Sequence, residues 1–135
     1  MTKWLMFCTF CAASWMTLSQ PVLAFDLNGH WATDASLCDK IFVKEGNGGS
    51  FAPNSDQFGG GFIVEGNKVR GQASSCSIKL RKEDGTSIHM IASCATDIMV
   101  SNVQFSAKIL DENTIVRVFP EMGDDISMRY SRCPN

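Results

Sequence analysis

The groups in this 135-residue chain that are able to do chemistry are six cysteines, two histidines and three adjacent acidic pairs. Cys8 and Cys11 lie in an apolar N-terminal stretch, and Cys38, Cys76, Cys94 and Cys133 are spread through the remainder. Those four show no Cys-x2-Cys spacing and no His-x3-His partner, so a zinc site is not expected. An even count in an exported chain points instead to two disulfides, and the sequence does not choose among the three pairings that four cysteines allow. His30 and His89 are the available imidazole bases, and no serine is tied to either by a recognisable motif. Glu83-Asp84, Asp111-Glu112 and Asp124-Asp125 fall in turn-like stretches, where they read as solvated turn residues rather than carboxylates placed across a cleft. A calcium site at Asp124-Asp125 lacks further oxygen ligands. The reading is therefore of a non-enzyme with no catalytic residue, no metal and no cofactor.

Export is read from the first 24 residues. Lys3 supplies a positive start, Trp4 to Leu18 an apolar core, Pro21 a break, and Val22-Leu23-Ala24 a small-residue cleavage site. Cleavage after Ala24 leaves residues 25–135 as a single domain. The apolar run is short for a bilayer crossing and is closed by Gln20-Pro21, so no membrane span is expected after cleavage. Neither early cysteine has the context of a lipid anchor. The formal charge is −2, and removal of Lys3 makes the remainder one unit more acidic, which argues against nucleic acid as a partner. A periplasmic or secreted monomer is expected.

The elements that must position these residues alternate with period two, which marks half-buried strands. The central pair is built on residues 76–94. Cys76, Ile78 and Leu80 share one face of its first run, and Ile88, Met90, Ala92 and Cys94 one face of its second. A three-residue Glu83-Asp84-Gly85 loop sets Leu80 opposite Ile88 and Ile78 opposite Met90. That register leaves Cys76 and Cys94 diagonal, so a bridge between them requires a bulge or a shifted loop. Upstream, Gly66-Asn67 makes a two-residue turn that sets Val64 opposite Val69. Downstream, Val103, Phe105, Ala107 and Ile109 point inward. A four-residue loop at 111–113 and its neighbour then buries Val116 and Val118, in preference to turning Arg117 inside. Residues 25–32 and 126–133 read as the first and last strands, with 120–125 a polar loop. The stretch 45–61 is too rich in Gly, Ser and Asn for a regular element. The fold class expected is all-β, a small antiparallel up-and-down barrel, calycin-like, with a β-sandwich as the alternative.

Gly29-His30-Trp31 resembles the Gly-x-Trp of the first strand in lipocalin-type barrels. The resemblance implies a Trp on the barrel floor and an arginine from the last strand packed on it, here Arg129 or Arg132. In size, export and cysteine use the chain is similar to small periplasmic inhibitors of lysozymes and proteases. As a whole it most resembles uncharacterised small exported proteins of Gram-negative bacteria.

Two functions follow as expectations. The first is a binding or inhibitory module that engages a protein partner through the 45–61 loop, with Phe51 and Phe58 as the apolar contacts. The second is a carrier of a small apolar ligand inside the barrel, which the bulky inward residues disfavour by filling the space. A basic outer face made by Lys68, Arg70, Lys79 and Arg81, with His89 beside Lys79, is a further candidate surface for an acidic partner.

Overall fold

The computed structural model describes residues 23–134 apart from positions 47 and 124. The segment read as an export signal, with Cys8 and Cys11, lies outside the described residues up to position 22. Eight antiparallel strands close into a barrel: β1 (Gly29–Ala32), β4 (Gly61–Glu65), β5 (Lys68–Gly71), β6 (Ser75–Asp84), β7 (Ser87–Ala95), β8 (Val100–Asp111), β9 (Thr114–Val118) and β10 (Ser127–Arg132). Each pairs with the next in this order, and β1 pairs with both β4 and β10, so no edge is left open. Between β1 and β4 the chain makes an excursion: a helical turn α1 (Cys38–Ile41) and a separate hairpin of β2 (Phe42–Glu45) and β3 (Gly48–Phe51).

The turns follow local chemistry. Gly66 and Gly85 both adopt φ near +60°, the left-handed geometry that tight hairpins require. Around Gly66-Asn67 the pairing Val64↔Val69 and Glu65↔Lys68 is the one expected. Around Gly85 it is not. Asp84 pairs with Ser87, so the turn is Gly85-Thr86, and Leu80 faces Ile91 rather than Ile88. A register shift between Ile78 and Leu80 then sets Ile78 opposite Ala92 and Cys76 opposite Cys94. Loop shift and bulge together put the two cysteines face to face, and they are bonded with Cα atoms 4.0 Å apart. The same bulge turns Leu80 to the outside, where it is 58 % exposed.

A second bulge corrects the expectation for Arg117. Asp111 pairs with Thr114 across a Glu112-Asn113 turn, and the register shifts between Ile109 and Asp111. Ile115 therefore lies opposite Ile109 and is fully buried, and Arg117, two residues on, points to the same inner side opposite Ala107. Aromatic faces offset part of the cost of an inward cation: the guanidinium lies 4.8 Å from the Phe105 ring centre and 4.6 Å from that of Phe119.

Two cores result. Inside the barrel, Leu27, Trp31, Phe62, Val64, Ile88, Met90, Ala107, Ile115 and Tyr130 pack together. Outside it, the excursion covers the wall at β1 and β4. There Ala32, Ile41, Cys38 and Cys133 are buried, with Phe42, Phe51 and Phe58 packed against them, and the Cys38–Cys133 bridge ties the excursion to the chain's end. The 45–61 stretch thus contains a strand and a 3-10 turn (Ser55–Phe58), contrary to its glycine-rich reading. Its glycines serve close approach. A Cβ on Gly49 would fall 1.9 Å from His30 Nε2, and one on Gly48 2.9 Å from Glu65 Oε1.

Candidate functional site: the barrel cavity

The barrel is not filled. A cavity of about 360 Å³ is bounded by apolar side chains from six strands, among them Phe62, Val64, Val69, Ile78, Met90 and Val103. The space has a local cause. Bulging at Ile78/Leu80 expels a leucine from the interior, and the inward positions facing it on β7 are Ala92 and Cys94, both small. Sequence parity alone counted Leu80 among the fillers, so the sequence-based expectation of a solid interior does not hold.

One end of the barrel is plugged. Trp31 is fully buried, donates its indole N–H to Leu27 O at 2.9 Å, and stacks with Phe62. Arg132 rather than Arg129 covers it, with its guanidinium 4.4 Å from the indole centre. That guanidinium also donates to Asp26 O, Asn28 O and Glu112 O. Beside it Arg81 donates to Phe25 O and Glu83, and the Phe25 amide donates to Glu83 Oε2 at 3.2 Å. The opposite end carries Ser74, Thr96 and Ser101 at the cavity rim, with the Cys76–Cys94 bridge between them.

Besides the hydroxyls at its rim, Arg117 and Tyr130 are the polar-tipped side chains among the described residues that line this cavity. Arg117 Nε is buried and has no hydrogen-bond partner among the described residues. The ion pairs among those residues are Arg70–Glu65 and Arg81–Glu83, so no described carboxylate neutralises Arg117. A buried donor left unsatisfied is costly, so Arg117 Nε calls for a partner.

A second depression, about 410 Å³, lies between the excursion and the C-terminal end and is bounded by His30, Asp39, Phe42, Lys44 and the Cys38–Cys133 bridge. It is larger, yet its buried polar atom, His30 Nε2, is capped by the Gly49 backbone rather than aimed into space. Burial lowers the His30 pKa; Glu65 opposes that shift and Arg70 adds to it. The barrel cavity is the better candidate.

The residues singled out in sequence are dispersed. Phe51 and Phe58 are partly buried against the outer core; Phe51 lies 5.3 Å from Phe42, and Lys40 Nζ lies 5.1 Å over Phe58. Arg70 is pinned to Gly49 O and Glu65, and Arg81 is on the inner side at the plugged end, opposite Met90. Only Lys68 and Lys79 of the four stand free on the surface, so the basic residues do not form one face. His89 lies opposite Lys82, not Lys79, and its Nδ1 is 3.1 Å from Ser106 Oγ, whose residue is 3 % exposed. No group of three His, Cys, Asp or Glu able to hold a metal occurs among the described residues, and no described helix is long and apolar enough to cross a membrane. Arg117 and Tyr130 were not singled out as site residues in the sequence, because their inward placement depends on a bulge and on closure of the sheet. Comparison with protein-family models, curated proteins and solved structures finds no match.

Proposed function

We propose that this protein binds a small, largely apolar molecule within its barrel, acting in an extracytoplasmic compartment, periplasmic or secreted. The observation that carries the reading is the cavity of about 360 Å³ walled by Phe62, Val64, Ile78, Met90 and Val103. Concave, mostly apolar space of this size with few polar groups is the usual form of a small-molecule site. The two disulfides support the compartment, since they persist where conditions are oxidising. Engagement of a protein partner through Phe51 and Phe58 has less support, because both rings already pack on the outer core.

A neutral, environment-sensitive dye such as N-phenylnaphthylamine tests the reading. Saturable binding at one site to the wild-type protein is expected, and Ala92→Phe, which fills the cavity, should abolish it while the protein still melts cooperatively. Failure of the wild-type protein to bind, or unchanged binding by the folded variant, would remove the carrier reading.

A further inference from the structure

Resting on the barrel-interior reading, we infer that the ligand is a singly charged anionic amphiphile, an apolar body ending in a carboxylate, and that Arg117 is the residue that holds its head. The inference comes from how differently the protein treats its arginines. Arg132 is bonded to three carbonyls, Arg81 to Glu83 and Phe25 O, and Arg70 to Glu65 and Gly49 O. Each of these completes a structural joint.

Arg117 joins nothing in that way. It lies on the cavity wall one residue short of the end of β9, with its guanidinium over the rings of Phe105 and Phe119 and its Nε buried and unpartnered among the described residues. The two rings contact the guanidinium without using its N–H donors, which leaves those donors available to a carboxylate. A half-buried cation against apolar walls with no described counterion carries a desolvation cost, and an incoming anion relieves it. A neutral ligand can accept a hydrogen bond there but brings no compensating charge.

The charge count sets the class. Among the described residues no other Lys or Arg lines the cavity, so one negative charge is matched and a dianion such as a phosphomonoester is not. Below the head, Phe62, Val64, Ile78 and Met90 offer a wholly apolar bed for the body of the molecule. Tyr130, opposite Ile115 on the inner side, places a hydroxyl-bearing ring on the same wall as Arg117.

Decanoate and decanol, which share a chain and differ in charge, are the probes, with affinity read by displacement of N-phenylnaphthylamine near neutral pH. Decanoate should bind wild-type protein roughly 10–100-fold more tightly than it binds Arg117→Met, the range for losing a hydrogen bond to a charged group. Decanol should bind both alike. Equal decanoate affinity in wild type and variant overturns the anionic class while leaving the cavity reading intact. Displacement of the dye by neither probe overturns the anionic amphiphile, and loss of dye binding itself overturns the cavity reading. Should Arg117→Met fail to fold, wild-type protein alone decides. Decanoate affinity must then fall as pH drops through the carboxylate range and decanol affinity must not; parallel behaviour of the two overturns the proposal.

Discussion

The Arg132 guanidinium lies over the Trp31 indole, 4.4 Å from its centre, while donating to the carbonyls of Asp26 and Glu112. One side chain thus locks the segment before β1, the β8–β9 turn and the plug of the barrel. Lysine keeps the charge but loses the planar fork and the stacking surface. Arg132→Lys should cost on the order of 1–3 kcal/mol in denaturant unfolding. A variant as stable as wild type would show that the covered Trp31 needs no cap.

The two disulfides should differ in weight. Cys38–Cys133 spans 95 residues and Cys76–Cys94 spans 18. If stabilisation comes mainly from constraining the unfolded chain, the longer closure contributes about 1.5 kcal/mol more. Unfolding midpoints of Cys38→Ala/Cys133→Ala and Cys76→Ala/Cys94→Ala would measure this. The reverse order would point to native-state packing around the bridge at the barrel mouth as the larger effect.

Phe51→Ala with Phe58→Ala should destabilise by about 2–5 kcal/mol, less than two full core truncations because both rings are only partly buried. Dye binding in the barrel should persist in the folded fraction, since the two rings lie against the outer core and not the cavity. Unchanged stability would free these rings for a partner and revive the loop as a contact surface.

His30 gives the protein an acid-sensitive contribution. Burial holds its folded-state pKa below the usual 6.5, with Arg70 acting in the same direction and Glu65 against it. A depressed folded value means that the unfolded chain binds the proton more readily. The contribution is therefore full above pH ~6.5 and is lost as pH falls through that value toward the folded pKa. Melting temperature of wild type should drop more than that of His30→Gln between pH 7.5 and 5. Parallel curves would mean that the ring stays uncharged or finds solvent on protonation.

Much of the scaffold was legible because period-two alternation is a local property. Val103, Phe105, Ala107 and Ile109 fall inward as their spacing requires, and Gly66-Asn67 alone fixes the pairing of β4 with β5. Even cysteine number indicated two bridges. Tertiary structure decided the rest through two bulges, each a single-residue event that flips every side chain beyond it. One sends Leu80 out and aligns Cys76 with Cys94; the other brings Arg117 in. Parity counted along the chain cannot see such a flip, because nothing in a period-two run marks where one residue is left unpaired against the neighbouring strand. The cavity, the orphaned Arg117 Nε and the use of Arg132 over Trp31 all follow from closure of the barrel, which brings together positions far apart in sequence.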